Sequence, residues 1–409
     1  MAKSTAASPL HFAIDGNEAN VSQRVGSNVY AFKIIEQLEV LTKDLPHIKV
    51  TVLLRRPPVK DLPQPRSGWQ YQVVKPSLLW TQLAAPIHLF LNSHRYDLFF
   101  TPGHYAPRLS AVPYVSSVMD LAFLQFPDQF HHTDLIQLKH WTKYSVKRAR
   151  RVVTISDFSK ADLIKQYHLP AEKIEVVYPA VEPEAPASNQ EAAAFFKKHR
   201  LRKPYFIFVG TFQPRKNLLK LVAAYELLCR QISSQQVFSH SRNRSSTGQS
   251  GIQLPQLVLA GKSGWLADDI LQRIKQSPFY DYIILPGFIP DNLKPALYER
   301  AAASILVGLH EGFGIPALES LHYDCLPIVS NQSSLPEVVG EAGILVDPKS
   351  EHSIAQGLKL ALEYSARQVT QFRRQAAQQR AKFDWQQSAQ QILNILIDTA
   401  QEQTSRHVK

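Results

Sequence analysis

Short apolar segments alternate with longer amphipathic segments along the chain. The segment VYAFKIIEQLEVL, from Val29 to Leu41, has apolar residues at helical spacing and predicts a helix. Six apolar runs bounded by turn residues predict strands between Leu10 and Ala180: LHFAID, IKVTVLL, DLFFTP, YVSSVMD, RVVTIS and IEVVYPA. This alternation is typical of a parallel sheet with helices on its faces, so the first half of the chain predicts an α/β domain.

The pattern breaks at VEPEAPASNQ, residues 181–190, where proline and small polar residues predict a linker between domains. A second series of apolar runs follows the linker: YFIFVGT, LPQLVLAG, YIILPGF, SILVGL and LPIVSN. We therefore predict two Rossmann-like, doubly wound domains, residues 1–185 and residues 186–384. Residues 385–409 predict a C-terminal helix that caps a domain or packs back on the first one.

Length and composition agree with two folded domains. The 409 residues exceed the roughly 250 to 300 at which one hydrophobic core stops growing, and 44% of them are hydrophobic. One segment departs from the pattern, because residues 231–251 are serine-rich and polar and have neither helical nor strand periodicity. They predict a mobile surface loop within the second domain.

Three features of the sequence favour a cytoplasmic location. Only two cysteines occur, Cys229 and Cys325, and they lack the spacing of a disulfide framework or a zinc site. The first residues lack the apolar segment of a secretory signal. The longest apolar stretch, Leu78 to Leu91, contains a proline and a histidine and is shorter than the roughly 20 residues that span a bilayer.

The chain is basic, with a net charge of +12, and its first 180 residues contain 21 Lys and Arg against 14 Asp and Glu. Such a surplus favours anionic membranes, nucleic acids or phosphorylated substrates without choosing among them. The densest cationic run is KYSVKRARR, residues 143–151. Two interpretations stay open: a solvated helix end with cations near its C-terminus, or a surface that docks on an anionic membrane.

The segment GLHEGFGIPALES, residues 308–320, has the residue types of a phosphate and sugar site. A turn containing Gly312 and Gly314 that leads into a helix presents backbone N–H groups and a positive dipole to a phosphate. If the helix begins near Gly314, Glu319 lies about one turn inside it and Glu311 lies in the loop before it. A nucleotide sugar needs such carboxylates for its hydroxyl groups. The alternative is that both glutamates cap the helix and bridge to lysines.

At this segment the chain resembles the family-four retaining glycosyltransferases, which have the GT-B fold and include many bacterial mannosyltransferases and glucosyltransferases. Further segments match in the family's order: VVTISDFSK, YPAVEP, FVGTFQPRKNL, LVLAGKSGW and ILPGFIPDNLKPALYERA. The resemblance extends from about Ala13 to Trp385, and the ordered set is far more specific than any single motif. It implies two domains that face each other across a cleft, with the donor mainly on the second domain and the acceptor mostly on the first.

The resemblance also implies roles for the residues of segment 308–320. Glu319 would accept hydrogen bonds from the ribose hydroxyls of the donor, and Glu311 would accept them from hydroxyls of the transferred sugar. The backbone amides of Gly312, Phe313 and Gly314 would approach the sugar and its phosphate.

Arg215 and Lys216, in QPRKNL, are two adjacent cations just after a strand that ends in glycine. The resemblance implies that they bind the donor diphosphate and stabilise the leaving nucleoside diphosphate without a metal. The chain also lacks the Asp-x-Asp motif with which other glycosyltransferases hold a divalent ion. We therefore expect neither a metal nor a cofactor. Solvated surface cations are the alternative for this pair.

Two further candidates lie in the first domain. Gly26, in QRVGSNVY, resembles the family's glycine-containing loop that approaches the donor phosphates, although a glycine that only allows a tight turn is the alternative. Met119 stands where relatives usually have the histidine of a His-Asp pair close to the transferred sugar. Asp120 retains the ability to accept a hydrogen bond, with a structural role at the end of a strand as the alternative.

The segment FHHTDL contains His131, His132 and Asp134, whose spacing is open to metal ligation. We favour two other interpretations for it. It is either a loop that faces the acceptor or an exposed helix start, capped by Thr133 or Asp134.

The resemblance implies a retaining, metal-independent hexosyltransferase with a nucleotide-sugar donor. GDP-mannose is the expected donor, because the whole pattern, including LLWTQLAAP, looks most like bacterial mannosyltransferases of polysaccharide assembly. The expected acceptor is an oligosaccharide or a lipid-linked glycan, used at the inner face of an anionic membrane, and no nucleic-acid partner is expected. Three alternatives stay open: a UDP-sugar-dependent glycosyltransferase, a nucleotide-sugar epimerase or hydrolase, and a non-catalytic nucleotide-sugar-binding protein.

Overall fold

The structure is a computed structural model that describes residues 9–103, 105–242, 254–264 and 267–407. The chain forms two compact units. The first contains the chain up to Pro179 and the C-terminal segment from Phe383, and the second contains Ala180–Lys382. Each unit is built around its own parallel sheet, so the prediction of two doubly wound α/β units is confirmed.

The described part of the first unit has seven parallel strands: β1 Leu10–Asp15, β2 Ile48–Leu54, β3 Trp69–Val73, β4 Leu98–Thr101, β5 Tyr114–Val118, β6 Arg151–Thr154 and β7 Ile174–Val176. Their order across the sheet is β3-β2-β1-β4-β5-β6-β7. β4 and β5 are buried at every position, because a parallel sheet has helices on both faces. This burial explains why their sequences are uninterrupted apolar runs.

Helices cover this sheet: α1 Ser27–Leu41, α2 Ala85–Leu91, α3 Ala122–Gln125, α4 His132–Arg148 and α5 Asp157–Tyr167. A π-helical turn, Trp80–Ala84, runs directly into α2. Ser156 begins α5 as its N-cap, since its side chain accepts a hydrogen bond of 3.0 Å from the backbone N–H of Ser159. The serine of VVTISDFSK therefore has a structural role at this helix start.

The described part of the second unit has six parallel strands: β8 Tyr205–Val209, β9 Gln256–Ala260, β10 Ile283–Gly287, β11 Ala303–Leu306, β12 Pro327–Ser330 and β13 Ile344–Val346. Their order is β10-β9-β8-β11-β12-β13. The helices of this unit are α6 Asn189–Lys198, α7 Leu218–Arg242, α8 Asp268–Lys275, α9 Lys294–Arg300, α10 Ile315–His322, α11 Leu335–Val339, α12 Glu351–Leu362 and α13 Ala366–Arg380.

The strand order of each sheet reverses beside its first strand. In the first unit the reversal lies between β1 and β4, and in the second unit it lies between β8 and β11. The loops that leave the carboxyl ends of two such strands run in opposite directions, and the crevice between them is the usual ligand site of an open α/β sheet. The loop after β8 and the loop after β11 are therefore the places to examine in the second unit.

A last helix, α14 Trp385–His407, packs on the first unit. The Trp385 ring lies 5.9 Å from the ring of Tyr30 on α1, measured between centroids. The hydroxyl of Ser388 donates a hydrogen bond of 2.6 Å to the carbonyl oxygen of Tyr178. Thus the chain returns to the first unit after completing the second.

The structure differs from the sequence-based boundaries in two places. The units divide at Pro179 rather than at residue 185, and α6 begins at Asn189, inside the predicted linker. The loop predicted at residues 231–251 is wrong for residues 231–242, which continue α7, while residues 243–251 lie outside the described part. Polar residues without a helix-breaking Gly or Pro before Gly248 allow α7 to extend.

Candidate active site

The loop after β8 places two cations at the reversal of the strand order. A short 3₁₀ turn, Pro214–Lys216, ends at Asn217, which has a left-handed backbone with φ 61°. The buried Asn217 amide donates hydrogen bonds to the carbonyl oxygens of Val307, at 3.1 Å, and Pro348, at 2.7 Å. These bonds fix the loop to the end of β11 just before α7 begins.

Three contacts join this loop to the loop after β11. The Leu309 N–H donates to the carbonyl oxygen of Arg215 at 2.8 Å, and the Arg215 guanidinium donates to the carbonyl oxygen of His310 at 3.2 Å. Lys216 Nζ lies 2.6 Å from Oε1 and 2.9 Å from Oε2 of Glu311. The structure therefore brings together Arg215, Lys216 and Glu311, three of the residues selected from the sequence.

This cluster combines burial with an excess of positive charge. Glu311 is 5% exposed and Lys216 is 9% exposed, so their ion pair is shielded from water. Arg215 Nη1 lies 3.6 Å from Glu311 Oε2, and its side chain is more accessible, at 23%. Two cations against one carboxylate leave a net positive charge at the crevice, which favours an anionic ligand.

Gly314 forms the turn between this cluster and α10. Its φ of 104° is unfavourable for residues with a side chain, and an added Cβ would lie 2.5 Å from Cδ2 of Leu335. The buried Ser334 hydroxyl lies 2.8 Å from the carbonyl oxygens of both Glu311 and Phe313 and donates its hydrogen to them. The segment that includes Gly312 is thus held in one conformation before α10 begins at Ile315, as predicted.

Glu319, on α10, is oriented by two residues of α9. Lys294 Nζ lies 2.8 Å from Glu319 Oε1, and the Tyr298 hydroxyl donates to Oε2 at 3.1 Å. Burial lowers the pKa of Lys294, but Glu319 and Asp291 outweigh it and raise that pKa above its usual value. Burial first and the Glu319 carboxylate second also raise the pKa of Tyr298. Lys294 therefore stays cationic and Tyr298 stays neutral at neutral pH.

Both glutamates bridge to a lysine, which is what the structural alternative for them predicts. Ion pairing does not use up either carboxylate, because an ionised carboxylate has about four acceptor positions. Lys294 and Tyr298 occupy one position on each oxygen of Glu319. One acceptor position remains on each oxygen, which matches the two vicinal hydroxyls of a ribose.

Gly26 and Asp120, the candidates from the first half, belong to the first unit. Gly26 is exposed with φ 53°, and its carbonyl oxygen accepts hydrogen bonds from the N–H groups of Val29 and Tyr30, so it begins α1. Asp120 Oδ1 accepts a hydrogen bond of 3.0 Å from the Ala122 N–H at the start of α3. Each therefore has a structural role, and their contacts with substrates stay predictions.

Sequence analysis did not single out four polar residues that shape the second unit's site, although the first three lie in segments that resemble the family: Asn217, Lys294, Tyr298 and Ser334. Lys294 and Tyr298 are four residues apart on α9 and so share a face, and this spacing is visible in the sequence. In the first unit, Asp15 ends β1 beside the strand reversal, and burial raises its pKa to about 6 against the opposing hydrogen bonds from Asn17.

The described residues contain no group of three or more His, Cys, Asp or Glu side chains arranged to hold a metal ion. His131 and His132 are exposed at the start of α4, where His131 is the N-cap residue. The expectation that no metal is needed remains a prediction.

Two protein-family models match the chain. The model described as glycosyltransferase family 4 matches residues 37–185, and the model described as glycosyl transferases group 1 matches residues 189–380. The two matches adjoin near the division between the compact units, so each unit has its own family model.

Curated relatives include two O-antigen enzymes. O-antigen chain mannosyltransferase B of Escherichia coli is 28% identical over 308 residues, which are 74% of this chain and 75% of the relative. O-antigen chain mannosyltransferase RfbU of Salmonella typhimurium is 24% identical over 283 residues, 69% of this chain and 69% of the relative. Both alignments are longer than either compact unit.

Solved structures share the fold over nearly the whole chain. Sucrose-phosphate synthase from Thermosynechococcus elongatus has a TM-score of 0.66 and 18% identity, covering 94% of this chain and 98% of that one. Anabaena HepE in complex with UDP and glucose has a TM-score of 0.65 and 15% identity, covering 95% and 100%. At such identities the likeness establishes the two-domain fold.

Proposed function

We propose that this chain transfers mannose from GDP-mannose to a growing glycan. It belongs to the family-four glycosyltransferases of the GT-B fold and is therefore a sugar-transferring enzyme. The cluster of Arg215, Lys216 and Glu311 at the strand reversal is the observation on which this proposal rests. The named relatives support mannose, since the two O-antigen enzymes are mannosyltransferases by name. O-antigen synthesis is accordingly the proposed process.

In this proposal the second unit binds the donor through two clusters. Arg215 and Lys216 bind the diphosphate, whose negative charge matches the net positive charge of their cluster. Glu319 accepts hydrogen bonds from the ribose hydroxyls at the two acceptor positions that Lys294 and Tyr298 leave. Glu311 accepts hydrogen bonds from hydroxyls of the sugar, with the Gly312, Phe313 and Gly314 backbone close to the sugar phosphate.

Transfer breaks the bond between sugar C1 and the phosphate oxygen and forms a bond between C1 and the acceptor oxygen. The proton of the acceptor hydroxyl moves to the departing phosphate oxygen, so the anomeric configuration is retained without a protein nucleophile. Negative charge on the leaving diphosphate increases as the C1 bond breaks, and Arg215 and Lys216 stabilise it. These fixed cations supply the charge for which other transferases use a metal.

The first unit is the proposed acceptor side. In this unit Gly26 is proposed to approach the donor phosphates and Asp120 to accept a hydrogen bond from a substrate, with Met119 in the position where the family usually has histidine. The proposed acceptor is a lipid-linked glycan, and the proposed location is the cytoplasmic face of a membrane. The three alternatives from the sequence differ in their products, since an epimerase returns an isomeric donor and a hydrolase releases free sugar.

A product assay tests the proposal. Labelled GDP-mannose or UDP-glucose is incubated in EDTA with the enzyme and with lipid-linked glycans extracted from bacterial membranes. The expected result is mannose transfer from GDP-mannose alone, with an α-linkage by NMR, lost in Glu319→Ala and kept in the exposed control Glu363→Ala. Transfer that needs a divalent ion, an inverted linkage or glucose transfer instead of mannose would refute the corresponding part.

A further inference from the structure

The outer face of the segment from Leu78 to Leu91 exposes a row of large apolar side chains. This apolar ridge consists of Leu78, Leu79, Leu83, Ile87, Phe90 and Leu91, which are 77%, 56%, 47%, 55%, 70% and 66% exposed. Leu79, Leu83 and Ile87 are four positions apart, and Phe90 and Leu91 follow Ile87 by three and four positions, so these residues lie along one face of the π-helical turn and α2. A contiguous exposed apolar patch of this kind marks an interaction site in a soluble domain.

The ridge is not needed for the core of the first unit. The opposite face of the same segment supplies Trp80, Ala84, Ala85 and Leu89, all of them buried in that core. The helix is thus apolar on both sides although only one side is covered by the described part of the unit. Polar residues on the outer side would leave the inner packing unchanged.

A cationic pocket of about 490 Å³ adjoins the ridge, and its lining includes Gln82, Arg108, Lys143, Tyr144, Lys147 and Arg148. Gln82 connects the two features, because it lies between Leu79 and Leu83 in the chain and its amide donates a hydrogen bond of 2.6 Å to the Tyr144 hydroxyl on α4. The Arg148 guanidinium donates a bond of 3.0 Å to the carbonyl oxygen of Arg108. The pocket and the ridge therefore form one continuous surface of the first unit.

The segments that carry this surface are poor in acidic residues, and the acidic residues that flank them in the sequence are Asp97, Asp120 and Asp134. Residues 75–95, 98–119 and 135–151, which contain the ridge and the pocket lining, include no Asp and no Glu. Not every cation of the run at 143–151 belongs to the pocket, however. Arg151 lies on β6 and pairs with Glu402 and Glu175, so it acts within the fold.

We propose that this surface docks the protein on a bilayer containing anionic phospholipids. The pocket cations bind lipid phosphates while the ridge enters the boundary between head groups and acyl chains, an arrangement typical of helices that lie in a membrane interface. Charge complementarity selects this partner, because four Lys or Arg side chains and an adjoining apolar row match an anionic head group above an acyl layer. In the described part of the chain no helix is long and apolar enough to cross the bilayer.

The inference is independent of the donor and of the transfer reaction, and vesicle co-sedimentation of the full-length protein tests it. Vesicles contain phosphatidylcholine alone or phosphatidylcholine mixed with phosphatidylglycerol. The pocket variant is Lys143→Gln/Lys147→Gln/Arg148→Gln, and the ridge variant is Phe90→Ser/Leu91→Ser. Circular dichroism and the melting temperature establish that each variant is folded.

Matched controls alter the same residue types on the second unit. Lys197→Gln/Lys198→Gln/Lys275→Gln removes three exposed cations, and Leu345→Ser/Leu360→Ser removes two exposed leucines. We expect binding to the mixed vesicles only, with both controls unaffected. Each pocket cation contributes roughly a fivefold gain in vesicle affinity, so the pocket variant should bind about 100-fold more weakly. The ridge variant should lose at least about tenfold.

Four outcomes would overturn the proposal. Equal binding to both kinds of vesicle would remove the role of anionic lipid, and vesicle binding by the ridge variant equal to that of the native protein would remove the role of the ridge. If the pocket variant binds vesicles as the native protein does, the pocket cations do not bind lipid. Binding of inorganic pyrophosphate by the native protein would then assign the pocket to a soluble phosphate compound. A dimer that the ridge variant abolishes, without any vesicle binding, would assign the ridge to a second copy of the chain.

Discussion

Replacing Lys216 with methionine leaves the Glu311 carboxylate buried without its nearest cation. In the native protein Lys216 Nζ contacts both carboxylate oxygens, at 2.6 and 2.9 Å, and Glu311 is buried. Removing one partner of a buried ion pair costs about 3–5 kcal/mol. The remaining carboxylate is shielded from water and keeps only the more distant Arg215 guanidinium, at 3.6 Å. We expect Lys216→Met to destabilise the second unit by that amount.

The second unit, Ala180–Lys382, has a size at which 1 kcal/mol corresponds to roughly 2–4 °C in melting temperature. The expected shift is therefore about 6–20 °C in the calorimetric transition of that unit. Because multidomain proteins as a class depart from a single two-state transition, hydrogen exchange of peptides from β11 and β12 is used to assign the shifted transition. Peptides from β1 and β5 of the first unit should keep their protection.

A double-mutant cycle separates the ion pair from the packing of the lysine stem. Glu311→Gln removes the charge that Lys216→Met leaves without its nearest cation. The double variant should therefore be more stable than the sum of the single effects implies, by at least about 1 kcal/mol. Lys220 and Glu351 form an exposed pair at 3.6 Å and serve as the control, with an expected coupling of about 0–1 kcal/mol. Single costs below about 1 kcal/mol that add without coupling would refute the buried-pair reasoning.

Further predictions concern the turn before α10 and the end of β1. Gly314→Ala should destabilise the second unit by more than about 1–2 kcal/mol, because φ is 104° and the new Cβ meets Leu335. The control Gly287→Ala has φ 79° and open space around the new Cβ, so it should incur only the backbone cost. Urea unfolding measures the stability of both variants. Burial raises the pKa of Asp15 to about 6, although hydrogen bonds from Asn17 oppose the shift. Between about pH 4 and pH 6 the folded state therefore holds a proton on Asp15 that the unfolded chain releases, so the free energy of unfolding falls as pH rises through that range. Asp15→Asn should abolish that fall, which is about 3 kcal/mol or less, and an unchanged pH profile of unfolding would refute the burial of the charge.

Most strands could be predicted because both faces of a parallel sheet are buried and their residues form apolar runs. The two strands that the pattern missed lie at sheet edges. β3 has the sequence WQYQV, of which Trp69 alone is buried, and β13 has three residues with Leu345 47% exposed. At an edge one side of the strand faces solvent or a loop, so the sequence no longer shows a continuous apolar run.

The site could be predicted where its residues are adjacent in a motif and not where tertiary packing brings them together. Glu311 and Glu319 follow from the segment 308–320, but no local pattern pairs Glu311 with Lys216, 95 residues earlier. Lys294 and Tyr298 contact Glu319 only because α9 packs beside α10. These contacts decide how each carboxylate is oriented and how many acceptor positions it retains.

Isothermal titration of donor nucleotides tests most directly that this enzyme uses a nucleotide sugar held by the second unit. GDP-mannose, GDP, UDP-glucose and UDP are titrated in EDTA into the native protein, into Glu319→Ala and into the exposed control Glu363→Ala. We predict saturable binding of the guanosine nucleotides, weakened by about 10- to 150-fold in Glu319→Ala, because hydrogen bonds to a charged group contribute about 1.5–3 kcal/mol. Absence of binding by every nucleotide, or equal affinity in Glu319→Ala, would contradict it.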